Sequence, residues 1–265
     1  MSTEKTVVFL ASYGTSVIRA KEDSYDKIQA ELAISTGLPV WQVFTSDDLA
    51  RAMNGFSGPS IMTVEDALET AIIHGYTKVI AVPVFFSEGH MYQALSDRLN
   101  FYRDRIDVAM TRAVIYDEAS ARECAKVLME TMKPDNKLEY LFVGHGAAGQ
   151  YANRYTPLQE EITAMGYENV RVLRLIDRDC VGQAIAWLKK READTRDAQV
   201  VIVPMVVAWG DYMAEELFNA PDSFMAKLRK AGFRTVFTGN GLGEYPSFRQ
   251  VYVKRIKDLG GEEEA

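Results

Sequence analysis

Short runs of consecutive apolar residues alternate along this chain with longer stretches of helical period, and each run leads into a turn. The runs, rich in Val, Ile and Phe, predict strands near 6–11, 39–44, 78–86, 108–115, 139–144, 169–175, 199–207 and 234–239. The periodic stretches predict helices over 22–36, 62–75, 90–103, 117–132, 154–165, 179–191, 212–231 and 246–258. Unbroken apolar strands belong to a sheet covered on both faces, so the pattern predicts an α/β fold of mostly parallel sheets flanked by helices. Such sheets do their chemistry at the carboxyl ends of the strands. That rule directs attention to Ser12 to Ser16, Ser87 to Tyr92, Gly144 to Gly149 and Ala208 to Met213.

The pattern also occurs twice. The run Val7-Val8-Phe9-Leu10-Ala11-Ser12-Tyr13-Gly14-Thr15 returns as Tyr140-Leu141-Phe142-Val143-Gly144-His145-Gly146-Ala147. The run from Val79 through Pro83 to Gly89-His90 returns from Val200 through Pro204 to Gly210-Asp211, with the glycine six positions after the proline both times. Duplication predicts two similar lobes, an N-terminal one over 1–133 and a C-terminal one over 134–265, with an active cleft between them. The turn-rich, charged stretch Met132-Lys133-Pro134-Asp135-Asn136-Lys137 reads as the linker.

Composition narrows the partners. A chain of 265 residues, 48% hydrophobic, can bury a full core. A net charge of -7 argues against nucleic acid, whose backbone demands a basic surface that no Lys/Arg run here supplies, Lys189-Lys190-Arg191 reading as charge flanking a helix. The apolar runs fall far short of the roughly 20 residues that span a bilayer, so no membrane partner is expected. Met1 to Thr6 enters a strand without a secretory pattern, which predicts a cytoplasmic location. Cys124 and Cys180 are too few for a disulfide framework or a cysteine metal cage, and Cys124 reads as a small core residue. Asp177-Arg178-Asp179 reads as surface charge flanking a helix, and the Gly260–Ala265 tail as a solvated end.

Histidine is scarce, with three in the chain. His145 lies between two glycines at a strand end, where small neighbours leave room for a bulky ligand. An imidazole, whose unperturbed pKa is roughly 6.5, suits proton transfer or metal ligation near neutrality. His90 follows the most apolar strand in Ser87-Glu88-Gly89-His90-Met91-Tyr92, which offers a carboxylate, an imidazole and a thioether to a divalent ion, or else a helix N-terminus capped by Ser87 or Glu88. His74 sits at a helix C-terminus, where the helix dipole favours a cation. In the second copy Trp209-Gly210-Asp211-Tyr212-Met213 supplies an indole, a carboxylate and a phenol, flat surfaces for an aromatic macrocycle or further packing for the core. The turns Ser12-Tyr13-Gly14-Thr15-Ser16 and Gly239-Asn240-Gly241-Leu242-Gly243-Glu244 offer backbone N–H groups to a carboxylate or phosphate. Neither matches a nucleotide-binding signature.

In order along the chain, Ser12-Tyr13-Gly14-Thr15-Ser16, Phe44-Thr45-Ser46, Gly144-His145-Gly146-Ala147, the stretch from Pro204 to Gly210-Asp211, and Gly241-Leu242-Gly243-Glu244-Tyr245-Pro246 resemble the anaerobic cobaltochelatases. These are class II tetrapyrrole chelatases, similar in fold to ferrochelatase, which insert cobalt into sirohydrochlorin during cobalamin synthesis. The resemblance implies two chelatase-type lobes with a tetrapyrrole between them, His145 as proton acceptor and metal-facing imidazole, and a substrate surface including Ser12, Tyr13, Gly14, Thr15, Met91, Trp209, Asp211 and Tyr212. It implies no tightly bound cofactor, with Co2+, Fe2+ or Ni2+ as substrate metal, and it is compatible with a homo-oligomer. The family usually has a glutamate where Met91 stands and a histidine where Tyr212 stands. Either His90 and Glu88 supply the metal ligands from adjacent positions, or the chain handles another metal, works in reverse, or carries a tetrapyrrole or haem without metal insertion.

The chemistry sets its own demands. Two pyrrole N–H protons must leave before a divalent ion enters the ring, and an imidazole can accept one. The ion needs a few weak ligands, because closed coordination would prevent its release.

Overall fold

The computed structural model describes residues 4–54, 61–192 and 199–262. Five parallel strands form a first sheet: β1 (Thr6–Ser12), β2 (Val40–Phe44), β3 (Met62–Thr63), β4 (Lys78–Pro83) and β5 (Asp107–Met110), in the order β3-β2-β1-β4-β5. A second parallel sheet contains β6 (Glu139–Gly144), β7 (Val170–Arg174), β8 (Gln199–Pro204) and β9 (Arg234–Phe237), in the order β7-β6-β8-β9. The expected α/β class is therefore observed, in two separate sheets.

Burial explains why these runs became strands. In β1 every residue from Val7 to Ser12 is buried, and in β6 so is every residue from Glu139 to Gly144, as a sheet covered on both faces requires. Val7, Phe9 and Ala11 join Leu68, Leu95 and Leu99 in one core, while Leu141 and Val143 join Leu188, Met213 and Leu228 in the other. Each fully buried Leu contributes about 1.5–3 kcal/mol. β4 and β8 both end on a proline, Pro83 and Pro204, which has no N–H to extend the ladder. The strands expected over 78–86 and 199–207 are shorter, each followed by one last bond, from Val84 N to Ala11 O (2.7 Å) and from Met205 N to Val143 O (2.8 Å).

Both sheets share one topological property. The chain leaves β1 towards β2 on one side and returns to β4 on the other, and it leaves β6 towards β7 and returns to β8 in the same manner. The β1/β4 and β6/β8 boundaries are thus switch points, where the loops beyond the strands diverge and open a crevice.

The compact units depart from the expected boundary at 133/134. One consists of the chain up to Tyr116 together with the segment from Gly243 onward, and the other is Asp117–Leu242. Packing accounts for the change. The helix Glu118–Met132 buries Ala121, Cys124, Ala125 and Leu128 and packs on the helix Thr156–Ala164, with Arg122 paired to Glu161 at 2.9 Å. The last helix, Pro246–Glu262, stacks Phe248 on Phe86 at 6.3 Å and directs the buried Arg255 to the carbonyls of Ala113 (3.3 Å) and Val114 (3.1 Å). The stretch expected as linker is a turn inside the second unit, tied by Asn169 to the carbonyls of Asp135 and Leu138, each at 2.9 Å.

Three smaller differences have local causes. Ser46 starts an unexpected helix, Asp47–Asn54, by accepting from Leu49 N. The helix expected over 212–231 breaks at Ala220, just before Pro221, into Asp211–Ala214, a π-helical turn Glu215–Asn219, and Phe224–Lys230. A helix expected over 154–165 begins as a 3-10 turn, Gly149–Tyr155, ahead of Thr156–Ala164. Among the described residues no helix is long and apolar enough to cross a membrane.

Candidate active site

In the second unit the switch point holds His145. β6 delivers its last residue, Gly144, against the ring of the buried Tyr155, where a Cβ would lie 2.8 Å from the hydroxyl oxygen. Gly146 has φ +87, and a Cβ there would lie 2.8 Å from both Arg174 Cβ and Ile176 Cγ2. These glycines therefore make room for the protein's own side chains. Backbone bonds from Leu175 N to Gly144 O (2.9 Å) and from Ile176 N to His145 O (3.0 Å) fasten the turn.

The His145 side chain is exposed, and its Nδ1 lies 3.1 Å from the Gly146 carbonyl. A carbonyl oxygen only accepts, so this contact requires the proton on Nδ1. The lone pair of the neutral ring then resides on Nε2. Across the crevice Tyr212, 60% exposed, places its ring centroid 6.0 Å from that of His145. Ile176, also exposed, adds an apolar surface beside them. Asp211 is exposed in the first turn of the Asp211–Ala214 helix, following Gly210 in extended conformation. Trp209 is half-buried, edge-on to Phe218 at 6.2 Å and packed against the core, so the indole expected as a stacking platform is partly committed to packing.

At the first unit's switch point Tyr13 (48% exposed), Ile18 and Met91 are exposed. The neighbours assigned with Tyr13 serve the loop itself. Ser12 and Thr15 are buried, Ser12 hydrogen-bonds the buried Tyr25, and Thr15 Oγ1 accepts from Val17 N at 3.1 Å. Burial pushes the Tyr25 phenol up to about 12. Gly14, at φ +106, lies so close to the Phe44 ring that a Cβ would be 2.6 Å from it. Both hydroxyls expected to meet substrate thus face inward.

After β4, Glu88 N donates to Ile115 O at 3.0 Å, and the largely buried Glu88 carboxylate is gripped by Arg112 at 2.6 and 3.1 Å. Both oxygens expected to bind metal are therefore engaged by a guanidinium. Arg112 lies 4.3 Å above the Tyr116 ring. Gly89, neither Ser87 nor Glu88, is the N-cap of the helix His90–Asn100, which leaves His90 exposed in its first turn. Tyr92 donates to Thr111 O at 3.1 Å, and burial, reinforced by the Glu88 charge, pushes its phenol up to about 12. His74 is the C-cap of Val64–Ile73, as its position suggested.

The run from Gly239 to Glu244, read as an anion cradle, is structural. Leu242 N donates to Val206 O at 2.8 Å, Gly241 approaches Val207 O too closely for a side chain, and Arg249 takes the Gly243 and Glu244 carbonyls at 3.1 and 2.9 Å. Among the described residues no group of three or more His, Cys, Asp or Glu side chains forms a metal cage. Both thiols are buried, and burial raises Cys180 to about 12, the state of an inert cysteine.

Sequence reasoning singled out His145, His90, Met91, Tyr13 and Tyr212 beyond the strand ends, where the structure has all five exposed, and did not single out Ile18, Ile176, Arg112 or Arg174. An apolar residue or an arginine within a few positions of a strand end was the available signal.

The fold is similar to solved chelatases. SirB from Bacillus subtilis with Fe3+ aligns with TM-score 0.68 at 16% identity, over 98% of this chain and 97% of that one. The sirohydrochlorin chelatase SirB from Bacillus subtilis subspecies spizizenii, in complex with cobalt, aligns with TM-score 0.64 at 14% identity over the same shares. CbiX, described as the terminal enzyme for biosynthesis of siroheme in denitrifying bacteria, gives 0.54 at 14% identity, over 96% and 99% of the two chains. No curated protein sequence matches this chain. Paired doubly wound sheets of this kind, with an exposed imidazole at a switch point, define an α/β protein of the chelatase fold. The sequence pattern of the family described as cobalt chelatase (CbiK) matches residues 6–260, and the chain belongs to that family.

Proposed function

We propose that this protein inserts a divalent metal, with Co2+ favoured, into sirohydrochlorin. The observation that carries the reading is the exposed His145, with Nδ1 bonded to the Gly146 carbonyl and Nε2 left as the basic nitrogen beside Tyr212. Family membership supports metal insertion, and SirB, named as a sirohydrochlorin chelatase and bound to cobalt, supports the ring and the metal.

The mechanism follows from these atoms. Tyr212 and Ile176, both exposed in the unit that carries His145, offer an aromatic and an apolar surface to a flat macrocycle. Nε2 of His145 accepts a pyrrole proton, and the resulting imidazolium keeps its Nδ1–H on the Gly146 carbonyl. His90, exposed in the first turn of its helix, is a monodentate nitrogen donor that would hold the ion weakly enough to surrender it to the ring. The test is a visible-spectrum assay of metal-free sirohydrochlorin with Co2+ and purified protein. Spectral conversion faster than the uncatalysed reaction is expected, and a rate equal to that of protein-free buffer overturns the reading.

The exposed Tyr212 and Met91 favour one alternative, a tetrapyrrole or haem carrier, because a phenol and a thioether are both credible axial ligands. A haem titration separates the two. A tight Soret shift without metal insertion selects the carrier, and an unchanged Soret band excludes it.

A further inference from the structure

The tautomer on which this reading depends is held from outside the turn. Arg174 is the last residue of β7 and pairs in register with Gly144, the residue before His145. The Arg174 stem lies against Gly146, whose missing Cβ would be 2.8 Å from Arg174 Cβ. Its guanidinium reaches the far end of the same loop, where Nη1 donates to the Ala152 carbonyl, and Nε and Nη2 are held by Asp177 at 3.1 and 2.6 Å. Only about a fifth of either side chain is exposed, so the pair is not a loose surface contact. One residue thus touches the loop at its beginning, beside the left-handed Gly146 and at its end. The fork is what allows this, because a lysine ammonium cannot span the Ala152 carbonyl and the Asp177 carboxylate in a fixed plane.

We propose that Arg174 is the positioning residue for His145: by fastening both ends of the Gly144–Ala152 loop it keeps the Gly146 carbonyl under Nδ1 and so holds Nε2 as the basic, outward nitrogen. The role of Nε2 as proton acceptor rests on the function proposed above, whereas the control of the tautomer does not.

The experiment reads both. Long-range proton–nitrogen correlation spectra of the imidazoles, recorded at mildly alkaline pH, resolve a chain with three histidines, and His145 is assigned by the signal lost in H145A. The intact protein is expected to show His145 as the Nδ1–H tautomer alone. Arg174→Gln and Arg174→Lys are expected to show a mixture, with kcat for Co2+ insertion reduced by about ten- to a hundredfold and KM little changed, the signature of a displaced catalytic group. Should R174Q fail to fold, R174K, which keeps the stem and the charge, decides. A folded R174K with the unmixed tautomer and unchanged kcat overturns the proposal. If the intact protein inserts no metal, the functional reading fails while the tautomer spectra still decide the role of Arg174.

Discussion

His145 and Tyr212 face each other with ring centroids 6.0 Å apart, brought together from the loops beyond β6 and β8. Proximity here is a product of topology, since β6 and β8 are neighbours in the sheet with β7 on the far side. The pair supplies a base and an aromatic face to one ligand. Replacing His145 by Ala should lower the rate of metal insertion by about 10²-fold or more, as expected for lost general-base catalysis. Steady-state assays under saturating sirohydrochlorin check this, and rates equal to wild type would remove His145 from the mechanism. Tyr212→Phe keeps the face and should cost far less than Tyr212→Ala.

Gly146 tests the turn without touching the imidazole. Its φ of +87 is disfavoured for any residue with a Cβ, and the added methyl would press on Arg174 and Ile176. Gly146→Ala should destabilise the fold by about 1–3 kcal/mol and reduce turnover as well. Urea denaturation with wild-type and mutant side by side measures the first effect, and an unchanged midpoint would contradict the crowded geometry.

The first unit has an alkaline weakness at Tyr25. Burial raises its phenol from the ordinary 10.0 to about 12, with a Ser12 hydrogen bond opposing the rise. The unfolded chain therefore loses this proton first. Stability from the neutral phenol is fully present below about pH 10 and is lost as pH rises towards 12. Tyr92 follows the same direction for the same principal cause. Thermal melts should show a Tm falling over that window, more shallowly in Tyr25→Phe, and parallel curves would show that Tyr25 titrates normally.

Much of this was legible beforehand because apolar runs and glycine turns report local backbone needs. The strand ends, and with them the loops of His145, His90 and Tyr212, followed from that periodicity. What stayed hidden is non-local. Nothing in the order of residues shows that Gly146 is small to admit Arg174, or that Arg112 holds both oxygens of Glu88. The assignment of helices to units was equally hidden, since the apolar faces of Glu118–Met132 and Pro246–Glu262 state only that something covers them.

The engagement of Glu88 makes the ligand question a matter of competition. A metal recruiting Glu88 would have to displace Arg112 from a bidentate, largely buried carboxylate, whereas His90 is already exposed at its helix start. Breaking a bidentate, charge-assisted pair is a cost that binding at His90 does not carry, so the imidazole should bind first. Calorimetric titration with Co2+ should show His90→Ala weakening the binding by at least about tenfold, roughly 1.4 kcal/mol. Glu88→Gln should leave affinity within about twofold while lowering Tm, because the amide keeps one of the two acceptors of Arg112 and forfeits the ion pair. Anomalous scattering from Co2+-soaked crystals adds the geometry, with a peak expected about 2.0–2.1 Å from an imidazole nitrogen of His90 or His145. A peak on the Glu88 oxygens, or wild-type affinity in His90→Ala, would reverse the assignment and make Arg112 the group that moves aside.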